Sequence, residues 1–159
     1  MKARLESLVD VDPARAVREA RALSSDASVR GVLLTGLKAA ILVDAGSCDG
    51  DRAAVDEGVV LFRRLVKENP ERADMHYNLG NGLVALADQE GYKDFDWYLT
   101  TAETRREART CLRRAASLDD GRNVSSVALT NLGYQVDYHS LIIGKYSFTW
   151  LGCRTSFRA

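Results

Sequence analysis

The sequence predicts an all-α protein built from antiparallel helix hairpins. Three observations lead there. Apolar residues recur at helical spacing, as Val55, Val59, Phe62 and Val66 do. Only two prolines, Pro13 and Pro70, punctuate the 159 residues. A segment near the middle, 77-YNLGNGL-83, returns in the same phase as 130-TNLGYQV-136. Each copy lies in a helix-like stretch that follows a turn, ENP before one and LDD before the other. The unit is therefore helix, short turn, helix, and a repeated unit decides the fold. No segment reads as a convincing strand.

Residues 2–9 are expected to form a short helix. A clearer one starts at Asp12-Pro13, where Asp caps and Pro takes the first helical position. It runs through ARAVREARAL, and Ser24, Ser25 and Asp26 break it. From about 27 to 43 comes an apolar segment containing VRGVLLTGLKAAILV, whose length, with Ala39 and Ala40, favours helix over buried strand. The stretch DAGSCDGD (44–51) has turn chemistry. A clean amphipathic helix follows over 52–68, with Leu65 widening its apolar face and Arg63, Arg64 and Lys67 turned to solvent.

Asn69-Pro70 stops that helix, and the same pair is expected to start the next, with Asn69 as cap. Over 71–88 it aligns Met75, Leu79, Leu83 and Leu86. QEGYKDFD breaks the pattern. A helix near 99–118 then aligns Ala108, Leu112, Ala115 and Leu118, Asp119-Asp120-Gly121 ends it, and a helix over about 124–142 follows.

The bulk numbers fit a folded domain. Hydrophobic content is 46% and charged content 28%. The 22 basic and 22 acidic side chains cancel, which gives no electrostatic case for nucleic acid or an anionic membrane as partner. By eye, no apolar run approaches the roughly 20 residues of a membrane span, and the charged N-terminus lacks a signal peptide's apolar stretch. Cys48, Cys111 and Cys153 are scattered and odd in number, so no disulfide framework or CxxC motif is expected, and reducing cytoplasm is the expected location.

His76-x2-Leu79-Gly80-x2-Leu83 and Leu129-x2-Leu132-Gly133-x2-Val136 resemble the first helix of the tetratricopeptide repeat (TPR). Ala108-x3-Leu112, with Ala115, resembles the second-helix element. Gly58-x3-Phe62, followed by Pro70, resembles the second helix of an earlier repeat, whose first helix would carry Gly36 in the place of Gly80. The resemblance spans roughly residues 27–143. It implies a short TPR-like right-handed superhelix, an α-solenoid, as a single domain. Residues 1–26 would be N-terminal helices, 27–70 repeat 1, 71–120 repeat 2 with an insertion at 89–104, and 121–159 a partial, atypical or truncated repeat 3. The usual period is 34 residues. Here Gly36 and Gly80 stand 44 apart, and Gly80 and Gly133 stand 53 apart, so the array is divergent.

A glycine inside a helix costs about 1 kcal/mol relative to alanine. Close approach of a paired helix can offset that, so Gly80, Gly133, Ala108 and Ala115 are expected to be helix contacts. By the same resemblance Tyr77, Asn81, Thr130, Tyr134, Asp137 and Tyr138 face a concave groove that holds an extended peptide or a partner's helix. A carboxylate-gripping version would want Lys where Tyr77 stands.

Other chemistry is weak in comparison. Gly80-Asn81-Gly82 follows no strand and lacks the Lys-Ser/Thr of a phosphate loop. His76 and His139 lie on different helices without a ligand cluster, and Asp44, Asp49 and Asp51 miss calcium-loop spacing. No catalytic residue, metal or cofactor is therefore expected. The insertion 91-GYKDFDWYLTT-101 concentrates Tyr92, Phe95, Trp97 and Tyr98, either as a cover over the helix ends or as a recognition loop. The tail after Asp137 has no acidic residue and makes a poor polar cap. Either it packs on a partner or a further C-terminal domain, or the chain is a truncated or frame-altered piece of a longer protein. The expected function is a non-catalytic scaffold for protein–protein interaction. The alternative is a helical sensor or regulatory arm of a larger multidomain effector.

Overall fold

The computed structural model describes residues 1–24, 29–89 and 101–118, with the side chains of 29 and 30 left aside. The described residues form six helices and no strand. These are α1 (Lys2–Val11), α2 (Pro13–Arg21), α3 (Val29–Asp49), α4 (Arg52–Glu68), α5 (Ala73–Gln89) and α6 (Ala102–Leu118). The second motif copy with Gly133, Thr130, Tyr134, Asp137 and Tyr138 lies outside the described residues. So do the helix expected over 124–142, the aromatic cluster of the insertion, His139, Cys153 and the tail.

Several boundaries follow the local chemistry. Asp12 accepts from the Arg15 N–H at 2.9 Å and Pro13 opens α2. On α4, Val55, Val59, Phe62 and Leu65 are buried, Val66 is half-buried, and Arg63, Arg64 and Lys67 are exposed. Met75, Leu79, Leu83 and Leu86 line the buried side of α5, and Ala108, Leu112 and Ala115 that of α6.

Two boundaries differ from expectation. The predicted turn over 44–51 is mostly helix: α3 continues to Asp49, and Gly50 and Asp51 make the reversal. The last turns of α3 lie against α4. A Cβ built at Gly46 would stand 2.9 Å from the Asp51 carbonyl oxygen and 3.0 Å from Ala54 Cβ. Ala45 is fully buried. Tertiary packing thus outweighs the turn propensity of AGSCD. Gly50, at φ 73°, supplies the left-handed residue that ends the helix, and Asp51 Oδ1 accepts the Ala54 N–H at 3.0 Å.

The second difference is at Asn69. Rather than capping α5, it closes α4: its backbone N–H and its Nδ2 both donate to the Leu65 carbonyl, at 2.9 and 3.1 Å. Pro70 then belongs to the turn, and α5 starts three residues later. An Asn side chain satisfies an orphan carbonyl as readily as an orphan N–H, so Asn-Pro does not say which helix it serves. The insertion is also shorter at its end than expected, because α6 begins at Ala102.

The helices pack in chain order. α1 lies on α2 and α3, α2 on α3, α3 on α4 and α5, α4 on α5, and α5 on α6. Two apolar clusters result. Leu5, Ala16, Val17 and Ala20 pack with Ile41, Leu42 and Ala45, while Ala39 and Val43 join Val59, Phe62, Leu79, Leu83 and Leu112. Thus α3 feeds both clusters from opposite sides, which explains an apolar segment with little amphipathic pattern. Its stretch Gly31–Asp49 has a mean hydropathy of 1.4, long and apolar enough by those measures to cross a membrane, which corrects the reading by eye. It contacts α1, α2, α4 and α5, as the central helix of a folded core does.

Candidate binding surfaces on α5

The Asn-Leu-Gly segment lies inside α5, so Gly80-Asn81-Gly82 is helix and not a loop. The two glycines face different neighbours. A Cβ at Gly80 would stand 2.6 Å from Leu112 Cγ and 3.3 Å from the Ala108 carbonyl oxygen, against α6. One at Gly82 would stand 3.2 Å from Val59 Cγ2 and 3.4 Å from Val43 Cγ2, against α4 and α3. The expected contact between Gly80 and Ala108 is present. Gly36 does not match Gly80: its Cβ would meet Met75 Cε only at 3.7 Å, an ordinary contact. Gly58 makes the close approach in the α3–α4 hairpin instead, with a Cβ 2.7 Å from Val43 Cγ2 and 2.8 Å from the Ala39 carbonyl oxygen.

Of the six residues expected to face a groove, Tyr77 and Asn81 are described. Both are half-buried, one helical turn apart on α5, and a side-chain hydrogen bond joins them. Burial pushes the Tyr77 phenol above its ordinary value, against the smaller opposite pull of Asn81, so the hydroxyl keeps its proton at neutral pH. At about 100° per residue, Asn81 lies roughly 200° around α5 from Leu79, away from the side that α4 covers.

The other side of α5 borders an open cleft of about 410 Å³ between α4 and α6. Val66, Leu79 and Cys111 give it an apolar floor, and Arg63, Lys67 and Arg114 stand around it. Arg63 reaches across from α4 to α6, its Nε and Nη2 donating to the two carboxylate oxygens of Glu107 at 2.9 and 2.7 Å. His76 also lines the cleft and is nine-tenths buried. Its Nε2–H donates to the Pro70 carbonyl at 2.9 Å, and its Nδ1 has no hydrogen-bond partner among the described residues. Burial, with help from Glu107, pushes the Cys111 thiol up to about 11, so it remains a neutral, inert thiol at physiological pH. No hydrogen bond joins His76 to Cys111 or Glu107, and no nucleophile–base pair is assembled among these residues.

At the far end of α5 lies a polar contact that periodicity alone does not announce. Arg105 is buried, and its Nε donates to Thr101 Oγ1 at 3.1 Å while its Nη2 reaches Asp88 Oδ1 at 3.3 Å. Burial raises the Asp88 carboxyl above its usual value, and Arg105 pulls it part of the way back. The signal was available: positions 105, 108, 112 and 115 share one helical phase, so an arginine stands in a core register.

Compared with known proteins, the chain matches no family model, no curated protein and no solved structure.

Proposed function

We propose that this chain is a non-catalytic scaffold of stacked helix hairpins, TPR-like in arrangement, that holds a peptide or a partner's helix along its first helices. The packing order carries the reading. α1 contacts α2 and α3, α2 contacts α3, and the same relations recur for α3, α4 and α5. A helix that packs on its partner and on the first helix of the next pair is how repeat arrays bury a continuous core. In such an array α1, α3 and α5 form the inner layer, and Tyr77 and Asn81 fall on its open side. An Asn there offers a donor and an acceptor to a peptide backbone.

The test is affinity capture with the wild-type chain and with Asn81→Ala plus Tyr134→Ala. The expected outcome is at least a tenfold loss of the captured protein at unchanged helicity. An unchanged set of captured proteins at unchanged yield overturns the groove.

A further inference from the structure

We infer that the cleft between α4 and α6 is a second docking site, on the opposite side of α5 from Tyr77 and Asn81, for an acidic segment of a partner protein bearing apolar side chains. The charge around the cleft selects the occupant. Three cationic side chains, Arg63, Lys67 and Arg114, stand against two carboxylates, Glu107 paired with Arg63 and Glu71 paired with Arg114, so one positive charge, that of Lys67, is in excess. Glu107 and Arg63 neutralise each other through their two-pronged contact. Lys67 has no ion-pair partner among the described residues. Arg114 holds only Glu71, at 3.2 Å, and that carboxylate is 75% exposed, so the pair is weak and exchanges readily for another.

The floor is apolar, and the carboxylate in the lining, Glu107, has its charge offset by Arg63. An incoming segment with Leu, Phe or Trp on the floor and Asp or Glu beside it satisfies both features at once. A basic or uniformly polar segment satisfies neither. The surface is geometrically separate from the groove: Leu79 in the cleft and Asn81 outside it are two residues apart, hence roughly 200° apart around the helix. The two sites therefore stand or fall independently.

The experiment selects a phage-displayed library of random twelve-residue peptides on the full chain. Recovered peptides are then measured by fluorescence anisotropy on three variants: Lys67→Glu plus Arg114→Glu, Thr110→Trp, and Tyr77→Ala plus Asn81→Ala. Thr110 is exposed and lines the cleft, so a tryptophan there fills it without changing charge. Circular dichroism verifies that each variant keeps its helicity. The expected result is a peptide class rich in Asp or Glu next to large apolar residues. It should lose at least tenfold in affinity with the charge reversal and with Thr110→Trp, and keep its affinity with the groove variant. Two results overturn the site: no acidic excess among recovered peptides, or acidic peptides that bind the cleft variants as they bind the wild type. Peptides lost only with the groove variant overturn the cleft and leave the groove reading standing.

Discussion

The α3–α4 and α5–α6 hairpins solve one packing problem in two ways. In the first, the small residues that let the helices meet are Gly58, on the second helix, and Gly46, near the end of the first. In the second, Gly80 on the first helix receives Leu112 of the second. The first hairpin is joined by a two-residue reversal with a capped helix start. The second carries a partly buried ion pair, Arg105 with Asp88, at the end where the chain leaves α5 and enters α6. A glycine in a hairpin motif thus marks a close approach, and either helix can supply it. Matching Gly36 to Gly80 by sequence phase put the contact on the wrong helix.

The largest expected effect lies in the second hairpin. Arg105→Ala strands Asp88 and is expected to lower unfolding free energy by about 3 kcal/mol, the lower end for a broken buried pair. The lower end applies because the Asp88 side chain is 32% exposed. Arg21→Ala, at the end of α2, removes surface contacts to Glu57 and Asp51 of the first hairpin and is expected to cost under about 1 kcal/mol. Equal losses in urea titrations would erase this contrast.

Alanine at the glycines comes next. Gly58→Ala drives a methyl against the backbone carbonyl of Ala39 and is expected to cost about 2 kcal/mol, beyond its gain in helix propensity. Gly80→Ala drives a methyl to within 2.6 Å of Cγ of the fully buried Leu112 and should cost about as much as Gly58→Ala. Gly36→Ala meets nothing close and should stabilise, by about 0.5–1 kcal/mol. Thermal midpoints in the reverse order would show that the two hairpins close at other points.

Asp51→Ala removes the cap at the first reversal and is expected to cost about 1 kcal/mol, read as a lowered thermal midpoint with native helicity kept below it. The smallest effect is a pH slope. Above about pH 3.8 the unfolded chain has released the Asp88 proton, while the folded chain holds it up to a raised value. Stability contributed by this group therefore falls as pH rises through that window. Asp88→Asn should flatten the decline, and an unchanged slope would show that Asp88 is not its source.

Element type was legible in the sequence wherever apolar residues kept a helical phase, as along α4 and α5. The end of α3 was not, because Ala45 and Gly46 are chosen by the surface of α4 rather than by their own propensity. Asn69 was misassigned because its amide serves either a starting or an ending helix. Arg105 is readable in principle from its phase with Ala108 and Leu112, but apolar periodicity alone does not single it out. Tyr77 and Asn81 were placed on a helix correctly. The cleft had no sequence signal, since α4, α5 and α6 each supply only part of it.

Gly80 and Gly82 are separated by one residue and seat their neighbours on opposite sides of α5. Rolling that helix either way would drive a side chain of the same turn into Leu112 or into Val59. The segment is keyed like a shaft between two slots. Tyr77 and Asn81 ride on that shaft, so a partner bound there as proposed would meet a backbone already fixed and would have mainly its own ordering entropy to overcome.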